Sequence, residues 1–211
     1  MNYVGKLILP AALLAAVGCA HTVPPLRPPE VVVKRTITEE APKDDIQIIG
    51  REYWAKRGPI LSKIDRMGHI YRITIHHEGR ACYQSDWGFV VRRIRGIQKA
   101  HLRNGWADIG YHFVIDGRGR IWEARPLKYQ GAHAGRNSTA NNNKGNIGIV
   151  VLGDFNSQRL TDDEKASLGF LIDHLCKTHH ISKRNIYTHR ELKNTECPGR
   201  FLQDFVNKLR R

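Results

Sequence analysis

Two histidines and a cysteine carry the most direct chemistry available to this chain. His76 ends the run Tyr71-Arg-Ile-Thr-Ile-His76, His189 follows Ile186-Tyr-Thr, and Cys197 lies eight residues further on. Two imidazole nitrogens and a thiolate form a donor set that zinc accepts at about 2.0–2.3 Å, and a centre with three protein ligands keeps a fourth position for water. The chemistry on offer is therefore metal-assisted hydrolysis. With 11 histidines in 211 residues, spacing alone does not separate such a site from unrelated surface side chains. The surrounding elements must decide.

Tyr71 to His76 alternates apolar and polar residues and predicts a strand, as do Tyr111 to Asp116 and Arg120 to Glu123. The turn Asp116-Gly-Arg-Gly119 should join the last two as a hairpin. Along the strand from Tyr111, Tyr111 and Phe113 share one face and His112 points to the other, so His112 reads as a structural histidine. Asn146-Ile-Gly-Ile-Val-Val-Leu152 is nearly continuous and apolar, which suits a central strand buried on both faces. Asp86 to Arg103 sets Trp87, Val90, Val91, Ile94, Ile97 and Leu102 at helical spacing before Gly105. Thr161-Asp-Asp-Glu164 is a capping box that opens a second helix through Leu168, Leu171, Ile172 and Leu175. Arg200 to Arg211 makes a third, with Leu202, Phe205, Val206 and Leu209 inward. These elements predict an α/β fold: a single domain with a central mixed β-sheet flanked by about three α-helices. Cys176 falls on the inward side of the second helix, and Trp54 and Trp87 read as packing residues.

The N-terminal quarter has a different character. Residues 1–18 hold one Lys and no acid, with a dozen apolar or small residues from Leu7 to Gly18. Such a run is too short to span a bilayer comfortably and has the marks of a secretory signal. Ala16-Val17-Gly18-Cys19 resembles a bacterial lipobox, which makes Cys19 the lipid-modified first residue of the mature chain. Up to residue 49, Pro24, Pro25, Pro28, Pro29 and Pro42 punctuate a polar stretch that suits an extended tether. The expected organisation is a signal over 1–18, a lipidated cysteine and linker over 19–49, and a domain over 50–211. Ala20 carries no inner-membrane retention signal, so in a diderm cell the expected location is the outer membrane, facing the periplasm.

The formal charge is +14, and the first 50 residues carry five basic and five acidic groups, so the whole excess lies in the domain. A basic domain suits a polyanion such as nucleic acid, anionic lipid or an acidic envelope polymer, and charge alone does not choose. The Lys and Arg are dispersed with few interleaved aromatics and no nucleic-acid motif, which argues against a nucleic-acid partner. Nothing in the sequence suggests an oligomer, and a monomer is expected.

Seven segments in order narrow the choice: Arg51-Glu-Tyr-Trp54, Ile73-Thr-Ile-His-His77, Gly105-Trp-Ala-Asp-Ile-Gly-Tyr-His-Phe113, Gly131-Ala-His-Ala134, Asn146-Ile-Gly-Ile149, His189-Arg190 and Thr195-Glu-Cys-Pro-Gly199. Together they resemble the type 2 N-acetylmuramoyl-L-alanine amidases, closest to the peptidoglycan recognition protein branch, which shares its fold with phage lysozyme-type amidases. The resemblance implies one zinc ion held by His76, His189 and Cys197, and hydrolysis of the amide between N-acetylmuramic acid and L-alanine in peptidoglycan or muropeptides. Members without amidase activity commonly have another residue at the cysteine position, so the retained Cys197 favours catalysis over a wall-binding or sensing role.

The same resemblance assigns further roles. Tyr111 matches a tyrosine that hydrogen-bonds the attacking water or the developing oxyanion, and Thr195 stands where its hydroxyl can serve the same oxygen. His77, Trp106, Arg125 and His133 match groove positions that meet the substrate. The Gly105-Trp106 pair and Arg125, in Trp122-Glu-Ala-Arg125, match positions that distinguish a diaminopimelate from a lysine stem peptide through the extra carboxylate. Two departures stand out. Recycling amidases use a glutamate as general base where this chain has Val150, so no carboxylate base is evident, and Glu78 occupies a position that is often Ser or Thr. Cys82 lies where relatives often have half of a disulfide, and a bridge from Cys82 to Cys176 is left open by the sequence.

Overall fold

The structure is a computed structural model that describes residues 48–135 and 140–211. The signal-like segment, Cys19 and nearly all of the Pro-rich tether lie outside the described residues. Among the described residues, no helix is long and apolar enough to cross a membrane.

Six strands form one mixed sheet: β1 (Ile48–Ile49), β2 (Arg72–His77), β3 (Phe113–Ile115), β4 (Ile121–Glu123), β5 (Asn146–Val151) and β6 (Ile186–Thr188), in the order β1-β4-β3-β5-β2-β6. The expected hairpin is present as the antiparallel pair β3–β4, and every other neighbouring pair is parallel. The apolar run at Asn146 does form an interior strand buried on both faces, paired with β3 and β2. Three long helices flank the sheet, α1 (Trp87–Arg103), α2 (Asp162–His179) and α4 (Arg200–Leu209), and a single turn, α3 (His189–Leu192), follows β6 directly.

Strand alternation divides the core into two layers. Ile73, Ile75, Ile115, Ile147 and Ile149 face Leu168, Leu171 and Leu175 of α2 with Leu202 and Val206 of α4. On the opposite face, Val114, Trp122 and Val150 meet Val90, Val91 and Ile94 of α1 together with Ile49 and Trp54. Trp54 and Trp87 are packing residues as expected: Trp54 is fully buried with its indole N–H on Glu123 O at 2.6 Å, and Trp87 lies against Trp122. Cys82 packs with the α1 layer and Cys176 with the α2 layer, and both are free thiols. The bridge left open by sequence is absent because the sheet separates its two halves.

Two boundaries differ from expectation. Ile48 and Ile49 fall within the predicted 19–49 linker, yet they pair with Ile121 and Trp122, and Ile49 is buried. A two-residue strand is too short to show alternation, so its apolar character is the only sequence signal. Strand β3 starts at Phe113, although Arg125 N–H still bonds Tyr111 O and His112 N–H bonds Gly148 O just before it.

The capping box forms as predicted, with Glu164 N–H on Thr161 Oγ1 at 3.0 Å and Thr161 N–H on a Glu164 carboxylate oxygen at 2.7 Å. Glu164 is buried, and that burial, aided by Asp116 and Asp163, raises its pKa to about 7 despite the Thr161 hydrogen bonds. An acid held protonated by folding stabilises the native state at low pH, and that contribution is lost as pH rises from about 4.3 to about 7. Wild type should therefore lose stability relative to Glu164→Gln between pH 5 and 7.5 in urea titrations. A constant difference across that range would show Glu164 to be ionised throughout.

Candidate metal centre

Parallel register brings the two histidines together. Ile75 of β2 is opposite Thr188 of β6, so the next residues along each strand, His76 and His189, leave the sheet side by side with ring centroids 4.6 Å apart. Cys197 arrives from the loop between α3 and α4, which is tied back by Arg190 N–H on Cys197 O at 2.9 Å. At the foot of that loop Gly199 has φ 85°, and a Cβ there would strike the Phe155 backbone. The Cys197 sulfur lies 3.4 Å from His77 N and 3.7 Å from His76 Nδ1. One ligand atom each from His76, His189 and Cys197 falls within 4.8 Å of the others.

Burial, then the neighbouring histidines, lowers the His76 pKa well below its ordinary value, and burial with Lys193 takes His189 to about 4. Burial pushes the Cys197 thiol up to about 12. The set suits a cation. His189 Nε2 is buried with no hydrogen-bond partner, and an orphaned ring nitrogen beside a second imidazole and a sulfur matches the donor preference of zinc.

Around this cluster, Tyr111 sits with its ring 5.2 Å from that of His76, and burial, reinforced by Cys197 and Glu78, raises its hydroxyl pKa. The Thr195 oxygen accepts from Cys197 N–H at 3.3 Å, which leaves its own hydrogen to donate elsewhere. Val150 is the in-register neighbour of His76, so the place where a recycling enzyme would hold a carboxylate presents an isopropyl group. Glu78 is committed to Arg93, with carboxylate oxygens at 2.8 and 2.9 Å from Nε.

A cavity of about 480 Å³ adjoins the cluster, lined by residues that include Trp106, Arg125, His133 and His189. Of the four residues expected in a groove, Trp106, Arg125 and His133 line this cavity. His77 does not line it: strand alternation turns His77 away from His76, and its Nδ1 accepts from Phe155 N–H at 3.3 Å beside Asp154. His112 is structural as expected, with Nε2 against Tyr129 O and Nδ1 accepting from Gly148 N–H. Sequence reasoning missed His101, which stands between Trp106 and Tyr111 and accepts from Gly110 N–H. It also missed the buried Asn143 and Asn146, whose signal was the polar run Asn141-Asn-Asn143 immediately before an apolar strand.

Arg125 is almost fully buried, and its guanidinium donates to Ile109 O, Asp108 O and Gln130 O. Of five N–H groups, this leaves two for anything in the cavity. Arg125→Ala should therefore destabilise the domain as well as alter the cavity, by at least about 1–3 kcal/mol for buried carbonyls left unpaired. Urea unfolding of the variant checks this, and unaltered stability would mean that water replaces the guanidinium without loss.

Comparison with known proteins agrees with this arrangement. Residues 66–200 match the family described as N-acetylmuramoyl-L-alanine amidase. Peptidoglycan-recognition protein SC2 of Drosophila melanogaster is 35% identical over 156 residues, which span 73% of this chain and 81% of that protein. The structure of N-acetylmuramoyl-L-alanine amidase LysC from Clostridium intestinale URNW superposes with a TM-score of 0.62 at 25% identity, covering 77% of this chain and 97% of LysC. Drosophila PGRP-LB superposes with a TM-score of 0.66 at 28% identity, covering 76% and 92%. The family match spans residues 66–200, most of the domain, and the protein belongs to the N-acetylmuramoyl-L-alanine amidase family.

Proposed function

We propose that this protein is a zinc-dependent N-acetylmuramoyl-L-alanine amidase of the cell envelope, anchored through Cys19 and acting as a monomer in cell-wall turnover or remodelling. The observation that carries the reading is that His189 belongs both to the His76–His189–Cys197 cluster and to the cavity wall, so a substrate in the cavity lies against the ligands. Lys63, Lys193 and Arg125 line the cavity against a single carboxylate, Asp65, which suits a peptide bearing several carboxylates. A bound zinc supplies Lewis acidity and a nucleophile at neutral pH. Tyr111, kept protonated by its surroundings, donates a hydrogen bond to the reacting oxygen, and Thr195 adds a second donor. With valine at position 150 and Glu78 paired to Arg93, neither of these positions supplies a carboxylate base.

Relatives solved with tracheal cytotoxin, described for one of them as monomeric diaminopimelic acid-type peptidoglycan, support the diaminopimelate stem peptide as the substrate class here. Some relatives carry recognition in their names, and a sensor without catalysis is the competing reading. The His/His/Cys set, with His76 and Cys197 buried, favours the enzyme. The test is mass spectrometry of diaminopimelate-type muropeptides incubated with purified protein. The expected products are a free stem peptide with an L-alanine amino terminus and the peptide-free sugar, lost with a chelator and restored by zinc. Tight binding by zinc-loaded protein without any cleavage would establish the sensor instead.

A further inference from the structure

We propose that His133 is a positioning residue: it fixes the tautomer of His76 so that a bare Nδ1, and not an N–H, faces Cys197 and His189. The inference rests on the metal-centre reading above and adds a role for His133 that differs from substrate contact.

The chain of reasoning starts at a backbone carbonyl. Asn146 O lies 3.2 Å from His133 Nε2. A carbonyl oxygen only accepts, so Nε2 carries the hydrogen. The ring is enclosed beside His76 and His112, and none of its hydrogen-bond partners is a carboxylate that would hold a second proton. A neutral ring with its hydrogen on Nε2 has a lone pair on Nδ1. That lone pair is 3.0 Å from His76 Nε2, which must then be the donor. His76 is left with its own lone pair on Nδ1, the atom 3.7 Å from the Cys197 sulfur. In the metal-free protein the thiol can donate to it. The reverse assignment would aim a lone pair of His133 at the lone pairs of Asn146 O.

The rest of the site keeps the ring in this orientation. A Cβ on Gly131 or Gly148 would come within 2.5 Å of a His133 ring carbon, so glycine at both positions gives the ring its slot. His133 N–H and Ala134 N–H both donate to Asn143 Oδ1 at 2.8 Å, which fixes the backbone from which the ring projects. The Asn146 side chain is held in turn, with Oδ1 accepting from Thr74 Oγ1 at 3.0 Å and Nδ2 donating to Asn142 O at 2.7 Å. Although His133 lines the cavity, both its nitrogens are occupied inside the protein. Outer hydrogen bonds of this kind set which nitrogen of a ligand histidine is free to bind.

The direct test is nitrogen-15 NMR of the histidine rings in the metal-free full-length protein at neutral pH. His76 and His133 should both report a hydrogen on Nε2 and a bare Nδ1. A hydrogen on His76 Nδ1, or a mixture of the two tautomers, would overturn the proposal. A chelator competition for zinc supplies the second readout. His133→Leu should weaken zinc binding about 10–100-fold, while His133→Asn, whose Oδ1 can accept in place of Nδ1, should recover most of the loss. Equal affinity in wild type and the leucine variant would also overturn it. If the leucine variant fails to fold, the wild-type tautomers still decide. Tautomers as assigned in a wild type that takes up no zinc would uphold the His133 assignment and sink the metal-centre reading alone.

Discussion

Cys197→Ala is expected to leave the purified protein without stoichiometric zinc and to cut amide hydrolysis by about a thousandfold or more. The cluster has one sulfur and two imidazole nitrogens within 4.8 Å, and without the sulfur only two protein donors remain. Metal catalysis of this kind lowers the barrier by several kcal/mol, and each 1.36 kcal/mol is about tenfold in rate. The domain should still fold, because Cys197 contributes only one small side chain to a core whose main layers lie elsewhere. Elemental analysis, circular dichroism and turnover on a muropeptide are measured on the same preparation. Full turnover in a metal-free variant would end the zinc-amidase reading.

Tyr111→Phe should separate catalysis from metal binding. The phenyl ring keeps the tyrosine's place beside His76, where the two rings are 5.2 Å apart, and removes only the hydroxyl. Burial and the nearby Cys197 and Glu78 hold that hydroxyl in its protonated form, so its contribution is donation to a developing negative charge. Loss of one such donor slows kcat by about 10²- to 10³-fold. Zinc content should match wild type, and KM should change little. A variant with unaltered kcat would remove Tyr111 from the machinery. One that also loses its zinc would show that the hydroxyl supports the ligands.

Elements with several periods of pattern were legible in the sequence. Six inward residues mark α1, a capping box marks α2, and the Asp116-Gly-Arg-Gly119 turn marks the β3–β4 hairpin. Elements too short to repeat a pattern and without a turn signal beside them were not: β1 has two residues, β6 has three, and α3 is a single turn. These short pieces matter for the site, since the Ile75–Thr188 register is what sets His189 beside His76. The three candidate ligands were named from a family resemblance, because positions 76, 189 and 197 become neighbours only through long-range pairing. His77 shows the opposite case. Strand alternation alone places it across the sheet from its neighbour, and that physical signal outweighs its adjacency to a candidate ligand. Arg125 was identified by position, but its commitment to three backbone carbonyls depends on chain segments 105–110 and 130–132 that only the fold brings around it.

The place of β6 at the sheet's edge has a dynamic consequence. Three residue pairs hold it to β2, whereas β5 joins β2 through six and is buried between two strands. Past β6, the turn α3 is fastened to the end of α4 by Arg210 on Glu191 at 2.6 Å. The expectation from the short edge pairing is that segment 186–192 opens locally at lower free energy than global unfolding, carrying His189, one of the three candidate ligands, with it. An ion gripped from both sides would act as a latch between the edge and the centre of the sheet, favouring the closed form by an amount that grows with the logarithm of metal concentration. Amide hydrogen exchange at Ile186–Thr188 would slow sharply on metal addition while exchange in β5 stays constant, and a loaded site would then double as the fastening of its own edge strand.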